Sequence, residues 1–128
     1  MEKIAKKFIY TRKPDMRTLG HVAILMAFAC NLPHAMAEEA SVSITAPANG
    51  STVAANDKIN VEYRVTPGSK GDHVHLYVDD KEIAVLRKKQ GIHAIEPMSV
   101  GKHAICIKIV NKAHTPIGIQ ACTNISVQ

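Results

Sequence analysis

Beyond residue 40 this 128-residue chain has no tryptophan, one methionine (Met98), two cysteines and no apolar run long enough to cross a bilayer. Each shortage excludes something. A lone methionine rules out a methionine-rich site for Cu(I). Cysteines at 106 and 122 lack the C-x-x-C spacing of dithiol redox motifs. No nucleophile, base and orienting group fall together, and no carboxylates pair for general acid/base work, so the chain reads as a non-enzyme. A large excess of one charge is also missing where it would matter. The formal net charge is +5, but residues 1–37 hold six Lys/Arg against two Asp/Glu, while residues 38–128 hold ten against nine. A nucleic-acid partner therefore loses its main support. The length suits a single domain. With 46% hydrophobic and 21% charged residues the chain is neither disordered nor collagen-like.

The basic excess at the N-terminus has the form of an export signal. Lys3, Lys6, Lys7, Arg12, Lys13 and Arg17 precede an apolar stretch from Val22 to Leu32, interrupted by Asn31 and ended by Pro33. That stretch is too short to span a membrane. Ala35-Met36-Ala37 then supplies small residues for cleavage after Ala37. The expected organisation is a signal peptide over 1–37 and one domain over 38–128, periplasmic or secreted and without membrane insertion after cleavage. A lipid anchor at Cys30 is the competing reading, against which stand Ala27 and Phe28 where an aliphatic and a small residue are usual. A retained N-terminal anchor is another.

After residue 40 period-two alternation replaces any helical period. Ile59, Val61, Tyr63 and Val65 share one face of a strand, and Lys58, Asn60, Glu62 and Arg64 share the other. Similar patterns occupy 42–45, 73–78, 82–86, 92–96, 102–111 and 117–127. Turn signals separate them at Pro47-Ala48-Asn49-Gly50-Ser51, Thr66 to Asp72, Asp79-Asp80-Lys81 and Arg87 to Gly91. About seven short strands and no helices predict an all-β, immunoglobulin-like antiparallel β-sandwich. A chain of roughly 90 residues sits near the lower size for a self-sufficient core, so a cross-link would help. Register about a turn centred near His114 sets Cys106 opposite Cys122, both facing outward, and an exported chain favours their disulfide over a thiolate metal pair or redox couple. The link differs from that of antibody domains, which join other strands around a buried Trp.

Histidine carries the one chemical signal. In His73-Val74-His75 both imidazoles project from the same strand face while Val74 turns inward. Adjacent antiparallel pairing of the 73–78 and 102–111 strands brings His114, in the following turn, to the same pole. His93 follows a connection that returns there and is a possible fourth member. His103 begins its strand at the opposite pole, where a hydrogen bond within the corner is expected. The pair is expected on an exposed face, and histidine there is also an ordinary polar surface residue. As ligands, His73, His75, His114 and His93 suit copper or zinc, with Cu(II) ahead of Zn(II) for nitrogen donors. Arg87-Lys88-Lys89 reads as a solvated connection or as a docking patch for an acidic partner or lipid headgroups. Asp79-Asp80 reads as turn chemistry, since with Glu82 it supplies too few oxygens for calcium.

The run Gly71-Asp72-His73-Val74-His75-Leu76-Tyr77-Val78-Asp79, then Gly101-Lys102-His103, then His114-Thr115-Pro116, resembles a family of small exported bacterial immunoglobulin-like domains with an H-x-H-x-Y-V-D strand. The likeness spans most of residues 42–127. It implies the fold and the exported setting, and no activity. Two functions follow from the residues: an exported copper or zinc carrier or buffer, and a non-enzymatic envelope module that binds a protein or glycan through its loops.

Overall fold

The computed structural model describes residues 35–128, so the leader expected over 1–37 lies outside the described residues except for its last three positions. The described chain is all β, with eight strands: β1 (Ser41–Ala46), β2 (Ser51–Val53), β3 (Ile59–Thr66), β4 (His73–Val78), β5 (Lys81–Leu86), β6 (Gln90–Ile95), β7 (Gly101–Val110) and β8 (Pro116–Val127). They form a three-stranded sheet, β1-β3-β6, and a five-stranded sheet, β2-β8-β7-β4-β5. This is the expected immunoglobulin-like sandwich with one strand more than the alternation predicts. The addition is β2, three residues long and paired in parallel with the end of β8. Three residues are too few to show a period. The chain reaches the second sheet through Pro47 to Gly50, where Gly50 donates to the Asn124 carbonyl and Asn49 Oδ1 accepts from the Asn124 amide.

The core follows the alternation. Val61, Tyr63 and Val65 of β3 meet Val74 and Leu76 of β4, Ile105, Ile107 and Ile109 of β7, and Ile125 and Val127 of β8, all buried. Burying such side chains contributes about 1.5–3 kcal/mol each. On the outer side of β7 and β8, Cys106 pairs with Cys122 in register and is bonded to it.

Two local features place the site. Asp79 and Asp80 both have positive φ (48° and 64°), the backbone of a two-residue hairpin that turns β4 directly into β5. Within that hairpin Val78 pairs with Lys81 and Tyr77 with Glu82, and the register then slips between Leu76 and Tyr77, so Leu76 lies opposite Ala84 rather than Ile83. The turn thus sets Glu82 opposite Tyr77, on the face that carries His75, and the extra residue on β5 beyond it brings Ala84 and Leu86 opposite Leu76 and Val74.

Candidate metal centre

β4 supplies His73 and His75 from one face of the strand, as expected, but both are buried, at 3% and 4% exposure. The expected exposed pair is therefore corrected: residues from neighbouring segments cover it. His114, which is exposed, comes over from the β7–β8 turn, with ring centroids 4.6 Å from His73 and 5.1 Å from His75. That turn is held by Asn111, whose Oδ1 accepts from the amides of Ala113 and Thr115 at 2.9 and 3.0 Å. His114 itself has a φ of 61°, a left-handed conformation few side-chain-bearing residues adopt. Just ahead of the pair, a Cβ at Gly71 would overlap the Pro67 carbonyl oxygen and Ile109 Cγ2, so only glycine lets the loop deliver Asp72 to its position.

The nitrogen geometry is specific. His73 Nδ1 donates to Asp72 Oδ2 at 2.8 Å, and His75 Nδ1 donates to Glu82 Oε2 at 2.9 Å. Carboxylates only accept, so each proton sits on Nδ1 and each Nε2 presents a lone pair. Those two Nε2 atoms are 3.1 Å apart, and His114 Nδ1 is 3.3 Å from one and 3.0 Å from the other. Neutral imidazoles cannot bond all three contacts: at most one proton, on His114 Nδ1, is available to three converging nitrogens. A cation at their common focus would satisfy all three. With metal–nitrogen bonds of about 2.05 Å, these separations correspond to angles of about 94–107° at the ion, a three-nitrogen face with room for another ligand. Imidazole ligands backed by carboxylates are the usual arrangement in metal sites.

The carboxylates respond to their partners. The hydrogen bond from His73 holds Asp72 below the usual carboxylate range, burial opposes this, and the charges of Arg87 and Lys112 assist it. Beside Glu82, Tyr77 lies with its hydroxyl 3.5 Å from Oε2. Burial and then the Glu82 charge push its phenol above the ordinary value.

The three histidines offer one ligand nitrogen each, and the four-histidine set is not gathered as a whole. His93 lies on β6 in the other sheet, opposite Val61, because β6 pairs with β3. His103 sits at the far end of β7, opposite Ile125. Its Nδ1 donates to Asp79 Oδ2 at 2.6 Å and its Nε2 to the Ser99 carbonyl at 2.8 Å, the corner hydrogen bonding expected of it. With acceptors at both nitrogens, bonding to Asp79 and then to Ser99 raises its pKa. Asp79 is held low by the Ala104 amide and then by His103. The residues missed by the sequence reading are Asp72 and Glu82 as imidazole partners. Asp72 is adjacent to His73, and Glu82 follows from counting across the Asp79-Asp80 turn, so both could have been assigned.

Comparison with known proteins agrees with this frame. The profile of a bacterial Ig domain matches residues 41–105. No curated protein matches the chain. Among solved structures, fibronectin(III)-like modules of CbhA from Clostridium thermocellum superpose with a TM-score of 0.57 at 22% identity, covering 67% of this chain and 93% of that one. The CARDB domain of a Pyrococcus furiosus protein, crystallised in complex with di-metal ions, superposes with a TM-score of 0.53 at 16% identity, covering 73% and 90%. At such identities the likeness is one of fold.

Proposed function

The chain belongs to the bacterial Ig domain family, whose fold leaves the chemistry to the site, and we propose that this member is an exported copper or zinc carrier or buffer that holds its ion on His73, His75 and His114. The observation that carries the reading is the convergence of three ring nitrogens within 3.0–3.3 Å of one another, with carboxylates fixing the protons of two of them on the far side of the ring. A copper or zinc ion there would be held by imidazole alone, and nitrogen donors rank Cu(II) above Zn(II). That the CARDB domain holds metal ions on a sandwich of this kind is a compatible precedent in another protein. A disulfide in a bacterial Ig domain points to a setting outside the cytoplasm. The periplasm, reached by cleavage after Ala37, is the compartment we propose. Binding without catalysis completes the proposal.

The test is thermal. Cu(II) or Zn(II) at one hundred times its dissociation constant stabilises the folded state by about 2.7 kcal/mol. The purified protein should melt higher with either ion. The gain should be absent in the His73→Ala/His75→Ala variant and shrink as the pH is lowered, because protons compete for the same nitrogens. An unchanged melting temperature with both histidines present removes the proposal and leaves the envelope interaction module, which should retain its partner in the presence of chelator.

A further inference from the structure

The rim of the histidine cluster is positively charged. The β5–β6 connection brings Arg87 Nη1 to 3.8 Å from Asp72 Oδ2, with the Arg87 side chain 65% exposed. Lys88 and Lys89, which follow it, are exposed. Lys112 stands in the same turn as His114, is exposed, and its charge acts on Asp72. Lys108 lies opposite His75 in register, its Nζ 4.4 Å from the centre of the Tyr77 ring. Lys70 is set apart, since it lines a different cavity with Glu38 and Glu39. The carboxylates at the cluster itself are Asp72 and Glu82, and each already accepts a hydrogen bond from a ligand imidazole.

A positive rim around a cation site has a consequence for loading. Local potential of this kind alters association rates by about 10–1000-fold, slowing a free divalent ion and speeding an acidic body. The exposed ligand, His114, opens the cluster on this rim. We infer that the site is loaded by ligand exchange with an acidic metal-carrying polypeptide that docks on Arg87, Lys88, Lys89 and Lys112, in preference to capture of the free ion. This rests on the metal reading above. No change of oxidation state is involved. Each donor–metal bond that breaks is replaced by one to His114 Nδ1, His75 Nε2 or His73 Nε2. The Nδ1 protons of His73 and His75 stay in their bonds to Asp72 and Glu82, and the His114 proton resides on Nε2.

The experiment compares matched donors. Two synthetic peptides, His-Gly-His flanked on each side by three Glu or by three Lys, are loaded with Cu(II), and transfer is followed by quenching of the protein's tyrosine fluorescence. Peptide amounts are set to give equal final occupancy. At low salt the Glu peptide should deliver Cu(II) at least about 10-fold faster than the Lys peptide. The gap should narrow as salt shortens the screening length. An Arg87→Glu/Lys88→Glu/Lys89→Glu variant should reverse the order while reaching the same final quench. Equal rates from the two peptides overturn the inference, as does an order unaffected by the charge reversal. Retention of the wild type but not the variant on phosphatidylglycerol vesicles, with equal transfer rates, also overturns it and assigns the rim to a membrane surface. Cu(II) sulfate is the control that separates the two readings. If it quenches while the peptides show no preference, only the docking inference fails; if it does not quench, the metal reading fails and the docking inference with it.

Discussion

Glu82→Gln isolates the electrostatic part of the site. Glutamine keeps the length of the side chain and an oxygen able to accept from His75 Nδ1, and it removes the negative charge that stands 2.9 Å from that nitrogen in the wild type. Partners of this kind alter metal affinity by about 10–100-fold. At a fixed excess of ion that corresponds to about 1.4–2.7 kcal/mol of lost stabilisation. A domain of this size moves its melting temperature by about 4–8 °C per kcal/mol. The metal-bound midpoint of Glu82→Gln should therefore lie about 6–20 °C below that of the wild type. With chelator present the two proteins should melt close together, because the Glu82 side chain is 45% exposed and an exposed pair contributes little. The assay is a thermal melt at one fixed Zn(II) or Cu(II) concentration, repeated with excess chelator. An equal drop in both conditions would show that Glu82 is only structural. No drop with metal would show that His75 is not a ligand whose basicity Glu82 sets. Either result refutes the reasoning from the carboxylate–imidazole geometry.

The remaining predictions concern the frame. Reducing the Cys106–Cys122 bond, which closes a loop of sequence separation 16, should cost about 3 kcal/mol, read as an earlier denaturation midpoint in reducing buffer. Ile107→Ala removes a fully buried side chain from the centre of the core. It should cost about 2–5 kcal/mol in chemical denaturation, a large share of the 5–15 kcal/mol typical of a whole domain. The Asp79–His103 pair should give stability a two-sided pH dependence. Because the His103 pKa is raised, its contribution is full below the ordinary 6.5 and is lost as pH rises through the raised value. Because the Asp79 pKa is lowered, its contribution is full above the ordinary 3.8 and is lost as pH falls through the lowered value. Asp79→Asn should flatten both limbs in melts taken across this range, and a profile unchanged by the substitution would count against the pair.

How much of the fold the residues disclose depends on how local the cause is. In β3 each buried position alternates with an exposed one, so strand, face and core membership can be read from eight residues alone. The Cys106–Cys122 register follows from counting about His114, which matches the ladder from Lys108–Gln120 outward, while nearer the turn the register slips so that Val110 opposes Pro116. β2 escapes because its pairing with β8 is made by residues more than seventy positions apart and its own three residues carry no period.

The histidine cluster divides along the same line. That His73, His75 and His114 meet is a consequence of topology, since β4 and β7 are antiparallel neighbours and the turn after β7 lies beside the start of β4. His93 shows the limit of that argument. Its connection does return to the same pole, as the Arg87–Asp72 approach shows, but β6 then enters the opposite sheet and pairs with β3. The burial of the pair and the role of Glu82 depend on something smaller than topology. Counted from the two-residue turn, Val78 opposes Lys81 and Tyr77 opposes Glu82. That count places a carboxylate on the face of His75, and the extra residue on β5 acts beyond it, setting Val85 rather than Ala84 opposite His75. Alternation along β5 alone would set Glu82 with Ala84 and Leu86 on the inner face, and it fails because the register slips between Glu82 and Ala84. The ligands are therefore readable from spacing and topology, while the group behind His75 is readable from the two-residue turn and not from the alternation of β5.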